Sequence, residues 1–358
     1  MQSNTKSKRI FYFDALRALA IIMVIIFHIS VRADSVNTVA YNVIPSYSWL
    51  VHDFMRTCCR CGVDIFLMLS GALSLGRDWS IRSFLGKRIP RIVYPFLFWG
   101  ILLAAIIFVA IYYFPVLDWP HDFSFDLYGF FYFLGNSLIG QNHWFGHYWF
   151  FWMILGTYLI MPIFNNWIRA SPMDHVEYFL VIWAITCLYD KTLFWNLPIK
   201  LSYFMGPIGM VVLGYYLRHT KRKVFNNVYY SFAFLIAGVF LLMFISYLLS
   251  GDSDPFYTFD RYSIFLVIEV IGIFTLYKNF SQLNLNLNFI KNPDGIFRRS
   301  ILSIAKYSYG IYLCHQFFMN IFLVMFGAIS DFKLLAFLLF VFTLASSWLT
   351  MDILNRVP

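Results

Sequence analysis

The sequence predicts an all-α polytopic membrane protein with about ten transmembrane helices and one cytoplasmic interfacial helix. Of the 358 residues, 60% are hydrophobic and 13% are charged, and the mean hydropathy is +0.68. A soluble fold has too little interior for so much apolar side chain, so a soluble globular enzyme is excluded. Apolar runs of about 20 residues, the length that crosses a bilayer as a helix, recur along the whole chain.

Ten such runs divide the chain, and no long polar stretch separates them. Residues 1–358 are therefore predicted to form a single transmembrane domain. Residues 77–91 mix arginines with aromatic and aliphatic side chains, which is typical of a helix in the membrane interface. Residues 115–146 are long, aromatic and acidic, and we expect an outward lid or a re-entrant segment there. The ten runs lie at residues 10–32, 50–75, 92–114, 147–165, 175–193, 199–218, 228–250, 260–279, 304–327 and 331–354.

The charged loops predict the orientation. Basic residues collect before the first run and in every second loop after it, whereas the intervening loops are acidic. Because basic loops stay in the cytoplasm, we expect a multi-pass plasma-membrane protein with a cytoplasmic N-terminus. The net charge of +9 then reflects these loops. Nucleic-acid binding is not expected, since the basic runs are short and flank apolar spans.

The first run carries Asp14, Arg17 and His28. An ionisable side chain in hydrocarbon is unfavourable unless it is paired or hydrated, so such residues mark function. Arg17 and His28 are eleven residues apart, which places them on one helix face, about 16 Å apart along the axis. Asp14 lies one turn before Arg17 and can pair with it. His28 is either a hydrogen-bonded structural residue or a group that exchanges a proton or carries an acyl group.

The second run brings Arg60 and Asp64 to a spacing at which they can pair across one turn. Gly62 and the Ser70-Gly71 step allow a close approach between helices. In the eighth run, the carboxylate of Glu269 has no local partner and needs a cation, such as Arg17 or Arg60, or water.

Two further histidine patterns are ambiguous. His143 and His147 have the spacing of zinc ligands on a helix, but no third ligand is evident nearby, so no metal site is predicted. His315, taken alone, favours a packing role. The sequence contains no nucleophile elbow, P-loop or HExxH motif. An enzyme built on this chain would therefore use histidine, arginine and carboxylates set among helices.

Five stretches carry a resemblance to a known family. The stretch from Phe13 to His28, with a basic residue, ten intervening residues and a histidine, resembles the first-helix signature of the acyltransferase family 3 membrane proteins. Four further stretches resemble motifs of that family, in the same order along the chain. They are GVDIFLMLSG at 62–71, KRIPRIVYP at 87–95, HYWFFWMILGTYLIMP at 147–162 and SYGIYLCH at 308–315.

The resemblance implies a stand-alone membrane O-acyltransferase without an SGNH domain. Such a protein takes an acyl group, usually acetyl, from cytoplasmic acyl-CoA and delivers it to a hydroxyl of an extracytoplasmic or lipid-linked glycan. Acyl-CoA is then a substrate and no tightly bound cofactor is expected; membrane lipid is the other partner, and the oligomeric state stays open. The expected catalytic residues are His28, Arg17, Asp14, Asp64 and Glu269. The expected substrate-binding residues are Arg60, Arg88, Arg91, His147, Trp149, Ser70 and His315, with Trp119, Trp144 and Tyr148 stacking sugar rings on the outer face.

A transporter or flippase for a lipid-linked saccharide or small molecule is the alternative. Ten helices with intramembrane charges fit that class as well. Transporters of this kind are commonly built from repeated halves, and no internal repeat is visible in the chain.

Overall fold

The structure is a helical bundle. The computed structural model describes residues 10–33, 44, 46–114, 124–189, 192, 206–250, 259–283, 292 and 295–356, and these contain helices and no strand. The all-α prediction is therefore confirmed. The α-helices of the described residues are α1 (Phe11–Ala33), α2 (Tyr47–Thr57), α3 (Gly62–Ser74), α4 (Ile81–Tyr113), α5 (Leu127–Leu138), α6 (Trp149–Ala170), α7 (Met173–Leu188), α8 (Gly206–His219), α9 (Val228–Leu249), α10 (Ile264–Asn279), α11 (Ile296–Phe326) and α12 (Phe332–Arg356).

Eight helical stretches among the described residues are long and apolar enough to cross a membrane. They are Phe11–Arg32, Tyr47–Ser74, Ile81–Tyr113, Leu127–Ala170, Val228–Leu249, Ile264–Leu283, Ile296–Phe326 and Phe332–Arg356. The predicted runs at 175–193 and 199–218 overlap α7 and α8, which have 16 and 14 residues. Parts of both runs lie outside the described residues. The bundle is that of a multi-pass membrane protein.

Helix α1 is an interior helix. It packs against α2, α3, α10, α11 and α12, and 61% of its apolar stretch is buried, against 17% for α9 and 22% for α12. Leu16, Ile21 and Ile25 on α1 have no exposed surface. The helix that carries Arg17 and His28 is therefore surrounded by protein, whereas α9 and α12 present most of their surface to the outside.

Glycines bring α3 close to its neighbours. A Cβ at Gly71 would lie 1.7 Å from the carbonyl oxygen of Val211 on α8, and one at Gly214 would lie 2.0 Å from that of Met68. A Cβ at Gly62 would lie 2.6 Å from the carbonyl oxygen of Ala20 on α1. These close approaches confirm the prediction for Gly62 and Gly71, and they hold α3 between α1 and α8.

The segment at 77–91 differs from the prediction, because it is not a separate interfacial helix. The Ser80 hydroxyl accepts a hydrogen bond from the backbone N–H of Ser83 at 3.2 Å and caps α4. From there α4 runs without a break over Ile81–Tyr113 and joins the predicted span at 92–114. Arg82, Arg88 and Arg91 therefore lie on a helix that enters the bundle, whereas Arg77 lies in the bend before it.

Two local features explain the continuous helix. Pro90 and Pro95 lie inside α4, but prolines are tolerated in membrane helices, where neighbouring groups satisfy the freed backbone carbonyls. The Trp79 indole donates to the carbonyl oxygen of Ser74 at 2.8 Å and stacks on Phe84 with ring centroids 4.1 Å apart. The start of α4 is thus docked on the end of α3.

The predicted span at 50–75 is interrupted. A 3₁₀ turn at Cys58–Cys61 separates α2 from α3, so the residues before and after the turn do not share one helical phase. A second 3₁₀ turn, His143–Tyr148, leads directly into α6. Together with α5 it occupies most of the described part of the predicted lid at 115–146, of which residues 115–123 lie outside the described residues.

Candidate active site

Three arginines line one cavity between α1, α3, α4, α6 and α11. This cavity, here called the arginine cavity, has a volume of about 200 Å³ and is lined by Arg17, Arg88 and Arg91. All three were predicted as functional residues from two distant stretches of the sequence, and the structure brings them together. The other lining residues are Phe66, Leu69, Ser70, Leu73, Ile92, Phe150, Ile154, Tyr158, Ser308, Tyr309 and Tyr312.

The arginine cavity carries an excess of positive charge. Arg17 forms the predicted ion pair with Asp14, with 3.3 Å between Nη1 and Oδ1. Arg88 donates from Nη2 to the hydroxyl of Ser74 at 2.8 Å, which is a neutral partner. Three guanidinium groups surround the cavity, and the carboxylate of Asp14 offsets the charge of Arg17. The remaining positive charge favours an anionic ligand.

Ser70 and Tyr158 form a polar part of the cavity wall. The Ser70 hydroxyl donates to the carbonyl oxygen of Phe66 at 2.9 Å and lies 3.5 Å from the hydroxyl oxygen of Tyr158. Ser70 therefore faces the predicted substrate-binding space, although its own hydrogen atom is used by the backbone.

His28 lines a second, smaller cavity. This histidine cavity has a volume of about 60 Å³. Arg60 and Trp149, both predicted substrate-binding residues, line it together with His28. Its lining residues are Val24, Phe27, His28, Cys59, Arg60, Val63, Trp149, Arg261 and Tyr312.

Arg261 is a residue that the sequence analysis missed. It lies in the short turn before α10, and its guanidinium carbon is 3.6 Å from the centroid of the Trp149 ring. The guanidinium of Arg60 lies 5.5 Å from the ring centroid of Phe27. Both cations are held against aromatic faces beside His28, and such cation–π contacts leave the N–H groups available to a ligand. In the sequence, Arg261 is a cation directly before an apolar span. Such a cation is typical of an ordinary loop, so it did not stand out as a site residue.

Three histidines meet beside the histidine cavity, and of these His28 lines it. The ring centroids of His28 and His315 are 4.9 Å apart, those of His147 and His315 are 5.0 Å apart, and those of His28 and His147 are 6.4 Å apart. They come from α1, α11 and the 3₁₀ turn before α6. Nothing in their spacing along the chain indicated that they meet.

The turn that carries His147 is fastened to α11. The Nε2–H of His147 donates to the carbonyl oxygen of Leu313 at 3.2 Å, and the hydroxyl of Tyr148 reaches the same oxygen at 3.4 Å. In return, the Tyr312 hydroxyl donates to the carbonyl oxygen of His147 at 2.5 Å. These bonds fix the turn and α11 relative to each other.

The backbone sets the hydrogen positions of His28 and His315. Nδ1 of His28 lies 2.8 Å from the carbonyl oxygen of Val24, and Nδ1 of His315 lies 2.7 Å from that of Tyr312. A carbonyl oxygen only accepts, so in each neutral ring Nδ1 carries the hydrogen. Nε2 of His315 is then an acceptor, 3.2 Å from the Nδ1–H of His28. Nε2 of His28 is left with its lone pair, as a base or nucleophile requires.

Asp64 and Glu269 line neither cavity. Both are buried, and neither oxygen of Asp64 has a hydrogen-bond partner among the described residues, nor has Oε2 of Glu269. The expected Arg60–Asp64 pair is not formed. Arg60 belongs to the 3₁₀ turn and Asp64 to α3, and the one-turn rule applies only within a continuous α-helix. The described residues also give Glu269 no ion pair with Arg17 or Arg60.

The predicted outer-face groups are also placed differently. Trp144 and Tyr148 are 6% and 0% exposed, so neither is a surface platform for sugar rings, and Trp119 lies outside the described residues. The His143 ring contacts Arg32, whose Nη2 donates to the His143 carbonyl oxygen at 2.8 Å. Within the described ranges, no group of three or more His, Cys, Asp or Glu is arranged to hold a metal ion.

One of the comparisons with known proteins identifies a family. Residues 10–352 match the acyltransferase 3 family, whose description is an acyltransferase domain. No curated protein and no solved structure gives a match at the threshold applied. The family match begins at α1, which carries Arg17 and His28, and ends within α12, so it contains every residue of both cavities. The chain therefore belongs to the acyltransferase 3 family and is a membrane acyltransferase.

Proposed function

We propose that the protein is an O-acyltransferase that moves an acyl group, acetyl in the first instance, from cytoplasmic acyl-CoA to a hydroxyl of an extracytoplasmic or lipid-linked glycan. The observation that carries this proposal is the pair of cavities along α1. Three arginines line one cavity and His28 lines the other. One interior helix, α1, therefore contributes both an arginine for an anionic donor and the reactive histidine.

The arginine cavity supports acyl-CoA as the donor. Coenzyme A carries several phosphate charges, and guanidinium groups bind phosphate oxygens through two parallel hydrogen bonds. Arg17 and His28 are separated by about 16 Å along the helix axis. A long, thin pantetheine arm fits between such positions better than a compact donor does.

The size of the histidine cavity supports a short acyl group. Its volume of about 60 Å³ corresponds to roughly two water molecules at their share of liquid volume. An acetyl group, with three non-hydrogen atoms, is of this size.

His28 supplies the base for the transfer. Its Nε2 takes the proton of the acceptor hydroxyl while the hydroxyl oxygen forms a bond to the thioester carbonyl carbon. The carbon–sulfur bond then breaks, and coenzyme A leaves as the thiol, with the proton that His28 returns. The same nitrogen serves the other route, in which it first accepts the acyl group and then passes it on. Labelled protein formed from acetyl-CoA without acceptor distinguishes the second route from the first.

Arg60 and Arg261 stabilise the negative charge that develops on the carbonyl oxygen. Both line the histidine cavity with His28, and preorganised cations in a water-poor site act strongly on a developing oxyanion. His147 and His315 hold the His28 ring in place. A catalytic role for Asp64 and Glu269, which line neither cavity, stays a prediction.

The charges around the arginine cavity support the proposed orientation. Arg77, Arg88, Arg91 and Arg218 act on one another electrostatically or line that cavity, so this end of the bundle is strongly basic. Under the positive-inside rule it faces the cytoplasm, and the start of α1 with it. His28 then lies toward the outer leaflet, within reach of an extracytoplasmic acceptor.

The test uses the full chain in lipid vesicles with labelled acetyl-CoA and a glycolipid extract of the cells that make the protein. We expect label in ester linkage to glycan, with release of free coenzyme A. Coenzyme A release without label in the glycan would contradict the proposed acceptor. Glycan crossing the vesicle membrane without acyl-CoA, and no thioester cleavage, would select the transporter instead.

A further inference from the structure

One side chain borders both cavities. Tyr312 on α11 lines both the arginine cavity and the histidine cavity, and it is the one described residue that the two linings share. The Tyr312 ring is therefore the side chain common to the wall that holds the arginines and the wall that holds His28. The proposed function does not by itself assign a role to this ring.

The ring is held firmly in its position. Tyr312 is 1% exposed, and its hydroxyl donates to the carbonyl oxygen of His147 at 2.5 Å. Its ring centroid lies 4.9 Å from that of Phe150, in the wall of the arginine cavity, and 5.7 Å from that of His315. The hydrogen bond fixes one end of the side chain and aromatic packing fixes its faces, so the partition is a built feature of the site.

We infer that the Tyr312 ring sets the length of the acyl group that the protein transfers, by keeping the space beside His28 small. This inference rests on the proposed function. With the ring in place, the acyl chain beside His28 occupies a cavity of about 60 Å³. A longer chain would have to occupy the volume of the ring itself. Without the ring, the small cavity joins the 200 Å³ arginine cavity.

The experiment compares acetyl-CoA, butyryl-CoA and hexanoyl-CoA as donors, with thiol release in the presence of the glycolipid extract as the readout. In Tyr312→Ala, we expect the hexanoyl-to-acetyl ratio of kcat/KM to rise by about tenfold or more, the scale of effect that a few methylenes have in a pocket. Tyr312→Phe keeps the ring and loses only the hydrogen bond, so its ratio stays within about threefold of the original.

Tyr307→Ala is the matched control. Tyr307 lies on the same helix but bonds Asp352 on α12, with 3.1 Å between the hydroxyl and Oδ1. It lines neither cavity, so its removal leaves the donor ratio unchanged. An equal shift in Tyr307→Ala would overturn the inference, because general loosening of α11 would then be the cause. If Tyr312→Ala does not elute as a monodisperse protein, Tyr312→Leu, which removes less volume, replaces it. The same donor ratio of kcat/KM is then compared with that of the control.

Binding separates this inference from the proposed function. Thioether analogues of acetyl-CoA and hexanoyl-CoA cannot be cleaved, so their affinities are measured without any transfer. We expect Tyr312→Ala to tighten the binding of the hexanoyl analogue about tenfold relative to the acetyl analogue. Binding of both analogues with an unchanged ratio overturns the role of Tyr312 alone. Absence of binding by the original chain overturns both the proposed donor and the inference built on it.

Discussion

The arginine cavity and the histidine cavity lie along the same helix but differ in volume and in chemistry. The first is about 200 Å³ with three guanidinium groups, and the second is about 60 Å³ with an imidazole and two guanidinium groups. Charge and volume suit the first for holding a large anion, whereas the second suits the handling of a small group beside a base. Under the proposed function, donor binding and chemistry are divided between these two cavities, and Tyr312 borders both.

The largest effect is expected from removing the base. In His28→Ala, acyl transfer falls by about a hundredfold or more, because the acceptor hydroxyl loses its proton acceptor. The measurement is the rate of labelled acetyl transfer by protein in vesicles. His175→Ala, an exposed histidine on α7 outside both cavities, is the control and keeps the original rate. Normal transfer by His28→Ala would end the assignment of chemistry to the histidine cavity.

A second effect is expected from discharging the arginine cavity. In the double variant Arg88→Gln and Arg91→Gln, the KM for acetyl-CoA rises by about tenfold to a hundredfold, since two charge-assisted hydrogen bonds to phosphate are lost. Arg17→Ala acts in the same direction. Steady-state kinetics over a range of acetyl-CoA concentrations measures the change.

The control for that experiment is another arginine outside the cavity. Arg169 pairs with Asp78, with 2.9 Å between Nη1 and Oδ1, and lines neither cavity. Arg169→Gln therefore leaves the KM for acetyl-CoA unchanged. If the double variant binds acetyl-CoA as tightly as this control does, the donor enters elsewhere.

A smaller effect is expected at His315, where a role in positioning the His28 ring is distinguished from a role in binding the donor. His315→Leu leaves the Val24 carbonyl as an acceptor for the Nδ1–H of His28 but removes the second acceptor, Nε2 of His315. The His28 ring is then held less firmly, so kcat falls by about tenfold while the KM for acetyl-CoA stays unchanged. His315→Gln places an amide oxygen near the position of Nε2 and restores kcat to within about threefold. A glutamine variant as slow as the leucine variant, or a change in KM alone, would contradict the positioning role.

The smallest effect is expected at a cation far from both cavities. Arg222, in the loop after α8, pairs with Glu177 on α7, with 2.8 Å between Nε and Oε1. The Arg222 side chain is exposed, so Arg222→Gln lowers the stability of the fold only slightly. The KM for acetyl-CoA does not change. Thermal unfolding in detergent measures the change in stability, and steady-state kinetics measures the KM. A raised KM would show that the donor site extends beyond the arginine cavity.

Local periodicity was a sound guide within single helices. The eleven-residue spacing of Arg17 and His28 places both on one face of α1, and the structure puts each in the wall of a cavity bordered by Tyr312. The Asp14–Arg17 pair was predicted from positions within one helical turn. The close approaches at Gly62 and Gly71 were predicted because glycine has no side chain.

The same rule was wrong where the helix is interrupted. The pairing of Arg60 with Asp64 assumed one continuous helix, and the 3₁₀ turn at Cys58–Cys61 removes that condition. The helix predicted within 77–91 is present from Ile81, but composition alone did not show that it continues into the span at 92–114. The capping by Ser80 and the docking of Trp79 are decided by contacts with α3 and within α4.

By itself the sequence determined that this is an all-α membrane protein of the acyltransferase 3 family, and that one helix carries an arginine and a histidine on a single face. Hydropathy, periodicity and ordered motifs are local, so they can be read along the chain. The tertiary structure alone decided that His147 and His315 meet His28, that Arg261 joins Arg60, and that Tyr312 stands between two cavities. These neighbours come from distant helices, and which faces meet depends on how side chains of the whole bundle pack together.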